Sequence, residues 1–79
     1  MLLKILKSFF QKNQDQLKKG TVKFFSRRKG YGFIRSNETA KDVFVHISDT
    51  EDKISKGDRV EFELKFTPKG LQAEQVQLV

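Results

Sequence analysis

Lys29-Gly30-Tyr31-Gly32-Phe33-Ile34, followed by Val43-Phe44-Val45-His46-Ile47, sets flat rings and a positive charge at alternating positions on two short segments. Successive strand side chains point to opposite faces. On the first segment Tyr31, Phe33 and Arg35 therefore share one face, with Ile34 on the other. On the second, Asp42, Phe44 and His46 share a face, opposed by Val43, Val45 and Ile47. The aliphatic side is the core side. Tyr31, Phe33, Phe44 and His46 then form one outward patch, and Gly30 and Gly32 leave the neighbouring positions bare. Strand aromatics commonly belong to a core, but four on one outward face call for something flat to stack on them. Nucleobases are flat, and their backbone is anionic.

Outward from this stretch, the period of two continues. Thr21–Ser26 reads as a strand, 27–30 as a turn, Tyr31–Ser36 as a second strand and Asp42–Ile47 as a third. Ser48–Gly57 reads as a long polar loop. In Arg59–Phe66, Val60, Phe62, Leu64 and Phe66 alternate with Glu61, Glu63 and Lys65. Pro68-Lys69-Gly70 is a turn, and Leu71–Leu78 a last strand. Five short strands in so little chain predict a small closed barrel, which leaves no unpaired edge. Phe24 and Phe25 are consecutive and must face opposite ways. Strict parity with Val22 buries Phe24, whereas a bulge reverses it, and local pattern leaves both open.

At 79 residues the chain holds one small domain with a thin core. Its net charge of +6 favours an anionic partner, nucleic acid or an acidic membrane surface. Residues 1–19 carry +4, residues 20–35 carry +5 with no acid, and residues 36–79 carry −3, so the positive field lies with the aromatic motif. There is no cysteine, which excludes disulfides, thiol catalysis and cysteine-bound zinc, and favours the cytoplasm. No nucleophile–base pair, metal cluster or phosphate-binding loop is legible, so neither enzyme activity nor a cofactor is expected.

Residues 1–19 read differently. Leu2, Leu3, Ile5, Leu6, Phe9 and Phe10 recur at helical spacing among lysines, and nothing breaks the pattern before Gly20. The expectation is an amphipathic helical extension over 1–19, ahead of a domain over 20–79. Lys4 and Lys7 interrupt the apolar run, and no small-residue cleavage site follows, unlike a secretory signal. No run reaches membrane-spanning length. The apolar stripe suits packing on the barrel, self-association or a membrane surface.

Lys29–Arg35 matches most of the first ribonucleoprotein motif of RRM domains, except that Ser36 stands where an aromatic is expected. The second motif, however, follows too closely for a crossover helix. Order and spacing instead resemble the cold-shock domain, an OB-fold barrel. The resemblance rests on Gly20-Thr21-Val22-Lys23-Phe24-Phe25, on Lys29–Ile34, on Asp42-Val43-Phe44-Val45-His46 and on Lys56-Gly57-Asp58-Arg59-Val60-Glu61-Phe62. It covers about residues 20–79.

The resemblance implies an all-β, five-stranded antiparallel barrel with the helix added in front. It implies a cytoplasmic single-stranded RNA- or DNA-binding protein of low sequence specificity, acting as an RNA chaperone. Lys23-Phe24-Phe25 matches the family's Lys-Trp-Phe, which implies that Phe24 is the outward ring. Lys29, Tyr31, Phe33, Phe44 and His46 fall on family binding positions, Asp42 on one that contacts a base edge, and Lys69 on a basic one in the last turn. Arg28 joins them from the basic turn. Phe24 replaces the usual Trp, Ile47 stands where an aromatic is common, and the Ser48–Gly57 loop is short and lacks the family's ring. A shorter footprint and weaker binding are expected. The competing expectation is an interaction or membrane-surface protein driven by residues 1–19, with a weakened nucleic-acid site.

Overall fold

The computed structural model describes residues 17–79, and the helix expected before them, with its self-association or membrane role, lies outside the described residues. The elements are β1 (Leu17–Ser26), β2 (Tyr31–Arg35), β3 (Val43–His46), a 3-10 turn (Ile47–Asp49), β4 (Arg59–Thr67) and β5 (Gly70–Leu78). They close into a barrel in the order β1-β2-β3-β5-β4. β1 starts at Leu17 rather than Thr21, because Leu17–Thr21 pairs with Glu63–Arg59 of β4 while the rest of the strand pairs with β2. One long strand thus serves both halves of the barrel.

The expectation of an all-antiparallel barrel is corrected at one seam. β3 and β5 run parallel, with Phe44 beside Gln72 and Val45 beside Ala73. A closed ring of five strands cannot alternate direction at every seam, so one pair must be parallel. It falls here because β3 and β5 are joined only through β4, which supplies the long connection a parallel pair requires.

Alternation fills the core as the aliphatic pattern requires. Val22, Ile34, Val43, Val45, Val60 and Phe62 are at most 1% exposed. Burying such side chains contributes about 1.5–3 kcal/mol each, the main favourable term for so small a domain. Ile54, 1% exposed, joins them from the segment read as a polar loop. That segment is anchored by a parallel bridge from Thr50 to Val76 and by the Asp58 carboxylate, which accepts the Ser55 N–H at 2.8 Å.

Three further readings are corrected. Ile47 was expected on the core side but is 37% exposed, because β3 ends at His46 and the chain turns. Phe66 keeps the parity of Val60, Phe62 and Leu64 yet is 73% exposed, because β4 runs past the last core layer. Glu63, on the polar parity, is 8% exposed, because that part of β4 is flanked by β1 on one side and β5 on the other.

In β5 the register shifts between the Glu61 and Glu63 pairings, and Gln75 adopts φ 52°. This bulge separates two inward residues, Ala73 and Val76, by three positions instead of two and lets both reach the core.

Candidate functional site

The site is built on β1, β2 and β3. Phe33 lies opposite Phe44 and Tyr31 opposite His46. On the other side of β2, Phe24 lies opposite Phe33, although Val22 lies opposite Ile34. Two steps along β1 therefore match one along β2, with Lys23 as the extra residue. This bulge puts Phe24 on the face of Phe33 at 43% exposure, while Phe25 packs half-buried against the core.

The four rings touch as one cluster. Phe24 and Tyr31 meet edge to face at 6.0 Å between centroids, Tyr31 and Phe33 at 6.2 Å, and Phe33 and Phe44 at 5.7 Å. Tyr31 and Phe44 are instead nearly parallel, 5.7 Å apart with 22° between planes. Such pairs are worth about 0.5–1.5 kcal/mol beyond area burial, so the rings hold one another in place. Gly32 makes the close β1–β2 approach possible. A Cβ there would overlap the Phe24 carbonyl oxygen and come within 2.6 Å of the Phe25 ring.

His46 stands exposed at the end of the patch. Its Nδ1 accepts the Ser48 N–H at 3.1 Å and lies 2.8 Å from the Ser48 hydroxyl, capping the 3-10 turn. The neutral ring then carries its proton on Nε2, which is left to donate outward.

The cations divide into two groups. The Lys23 ammonium donates to the Asp42 carboxylate at 2.8 Å, and Arg35 Nε lies 3.8 Å from the other carboxylate oxygen. The hydrogen bond from Lys23 holds the Asp42 carboxyl below its ordinary value; partial desolvation opposes this, and the charges of Lys23 and Arg35 reinforce it. Arg28 and Lys29 occupy the β1–β2 turn, exposed and without an ion pair among the described residues. That turn is fixed by the Lys29 N–H donating to Ser26 Oγ at 3.0 Å and the Gly30 N–H to the Ser26 carbonyl at 2.7 Å, with Gly30 at φ 81°. Lys69 sits exposed in the β4–β5 turn, bordering a groove that Phe33 and Phe44 also line.

Among the expected site residues, the structure brings Phe24, Tyr31, Phe33, Phe44 and His46 onto one surface, with Lys23 and Asp42 paired. Sequence reasoning missed two features. It did not foresee the Lys23–Asp42–Arg35 cluster, whose members are far apart in the chain, and it grouped Phe66 with inward residues. Among the described residues no His, Asp or Glu cluster suits a metal ion, and no helix is long and apolar enough to cross a membrane.

Comparisons with known proteins cover the same stretch of the chain. The family model of the "cold-shock" DNA-binding domain matches residues 18–79. The chain is 49% identical over 61 residues to the major cold shock protein of Micrococcus luteus, covering 72% of this chain and 91% of that protein. It is 43% identical over 65 residues to a cold shock-like protein of Aquifex aeolicus, covering 77% and 93%. A solved structure of drosophila Unr superposes with a TM-score of 0.71 at 24% identity. That likeness, which covers 96% of this chain and 30% of the other, shows the shared fold.

Proposed function

This chain belongs to the cold-shock DNA-binding domain family, and on that footing we propose that it binds single-stranded RNA or DNA by stacking bases on the Phe24–Tyr31–Phe33–Phe44 cluster. The observation that carries the reading is the cluster itself. Four mutually supporting rings lie on the outer face of a barrel whose core is filled by other residues.

In this reading each stacked base contributes about 1–3 kcal/mol, with little regard for its identity, because every base offers a π-face. Arg28 and Lys29 meet phosphates beside the rings, and Lys69 does so at the far end. His46 donates from Nε2 to a base edge or phosphate. Asp42 accepts from a base edge, and its bond to Lys23 keeps the carboxylate charged and oriented for that purpose. Free single strand captured in this way leaves the hairpin equilibrium, so structured RNA opens by mass action, which is a chaperone activity without catalysis.

Tyr31 is the only tyrosine, and there is no tryptophan, so intrinsic fluorescence reports on the patch directly. Titration with unlabelled oligothymidine is expected to quench Tyr31 emission saturably, and Phe33→Ala combined with Phe44→Ala to abolish the effect. Unchanged affinity in that double variant overturns the stacking mechanism.

A further inference from the structure

We propose that the groove at the β4–β5 end of the barrel is an additional base-binding subsite with Phe66 as its platform, extending the ring patch; the proposal rests on the single-strand reading above. Phe66 is the most exposed large hydrophobic residue among those described, at 73%. Its strand neighbour Lys65 is tied to Glu74 at 3.8 Å, while its cross-strand partner Leu71 is half-buried against the core. The ring therefore projects from an ordered hairpin rather than from a loose tail. Thr67 Oγ1 donates to the Gly70 carbonyl at 2.7 Å and accepts the Lys69 N–H at 3.2 Å, which closes the turn that presents it.

The groove measures about 670 Å³ and is lined by Phe66, Leu64 and Leu71 on the β4–β5 side. That volume lies within the ~300–1,000 Å³ range of small-molecule sites. Phe33 and Phe44 form part of its wall, so it opens directly from the ring patch. A strand laid across Phe33 and Phe44 can continue into it without crossing a gap.

Charge selects the occupant. Two carboxylates border the groove, and both are engaged: Glu38 Oε2 accepts the Lys19 N–H at 2.9 Å, and Asp42 is held by Lys23. The two ammonium groups on the border, Lys41 and Lys69, have no ion pair among the described residues. An exposed ring and two unpaired cations on the border of one groove suit a base with its flanking phosphates. An apolar peptide or a second barrel would leave those cations unmatched. The Thr39 and Thr67 hydroxyls stand at the rim but are committed to backbone carbonyls, so the subsite is expected to tolerate any base.

The test compares two oligothymidines, one of about four and one of about nine nucleotides, which bracket a short and an extended footprint on an OB barrel. Phe66→Ala is expected to weaken binding of the longer strand by roughly tenfold and to leave the shorter at wild-type affinity. Phe66→Tyr is expected to restore the longer strand. Phe44→Ala is the control and is expected to weaken both, and equal melting temperatures for Phe66→Ala and wild type exclude a folding defect. If Phe66→Ala is silent for both lengths, or lowers both equally, the groove is not a distinct subsite. If Phe44→Ala weakens binding while Phe66→Ala does not, the groove proposal alone falls. If the wild type binds neither strand, the single-strand reading falls and this proposal with it.

Discussion

Tyr31 and Phe44 lie nearly parallel, 5.7 Å between centroids, although they sit on different strands and are not register partners. Tyr31 faces His46 and Phe44 faces Phe33, so the stacked pair is the diagonal one. Diagonal neighbours on a sheet are within reach of each other only for long or aromatic side chains. Each ring therefore depends on the other for its orientation. Phe44→Ala is expected to change Tyr31 fluorescence in the free protein, before any ligand is added, and to lower oligothymidine affinity by about 1–3 kcal/mol. Emission that stays at the wild-type value would show that the pair does not orient Tyr31.

The cations that lack protein partners should set the salt dependence. Contacts from Arg28, Lys29 and one or two further lysines predict a slope of log K against log salt of about −2 to −3 for a single strand. Lys29→Ala should reduce that slope by about 0.7, uniformly across base sequences. Titrations at several salt concentrations measure it.

Asp42 gives the molecule an acid-sensitive point. Its carboxyl titrates below the ordinary aspartate value when folded, chiefly through the Lys23 hydrogen bond. The stability it contributes is thus fully present above the unfolded value, near pH 4, and is lost as pH falls through the lower folded value. Asp42→Asn should flatten this acid limb, read as melting temperature from about pH 6 down to about pH 2, where wild type and variant should converge. A limb of unchanged steepness counts against the pairing.

Gly32→Ala should cost about 2–3 kcal/mol, the scale of overpacking a tight site. Its Cβ meets backbone of β1, at the Phe24 carbonyl and 2.7 Å from Phe25 Cα, which cannot move without opening the β1–β2 seam. Urea unfolding gives the value, and lost oligothymidine binding should accompany it because the rings flank that seam.

Gln75 occupies the left-handed region at φ 52°. A non-glycine residue there pays about 1–2 kcal/mol, and a β-branched one pays more. Gln75→Val is expected to lower the urea midpoint, and Gln75→Gly to raise it modestly, since glycine's extra unfolded-state entropy offsets part of the relief. The opposite order of midpoints would argue against the bulge.

Much of the barrel is readable from alternation. Ile34, Val43 and Val45 are buried and Tyr31, Phe33 and Phe44 stand on the opposite face because strand parity is a local property of the backbone. The reading fails where burial depends on where a strand ends. Ile47 and Phe66 both keep a core-side pattern, yet one follows the end of β3 and the other projects beyond the core layers, so each is exposed. Ile54 fails in the other direction. A single apolar residue in a polar segment carries no period, and only the fold of the chain back across the barrel buries it.

The amino-acid order was enough to establish the strands, the ring-bearing face and the basic turn, because each depends on residues near one another in the chain. It was enough, too, to place the chain beside a known family through the order of its motifs. Strand parity alone left open which side of the sheet Phe24 joins, and only the family resemblance pointed outward, as found; the parallel β3–β5 seam and the clamp of Lys23 and Arg35 on Asp42 were beyond the sequence. A bulge at Lys23 is visible only against its partner strand. Strand direction at the last seam follows from closing a ring of odd number. Asp42 meets Lys23, 19 residues away, only because β1, β2 and β3 lie side by side. These are long-range relations, and the free energy that holds them comes from burying a shared core, which no short stretch of the chain contains.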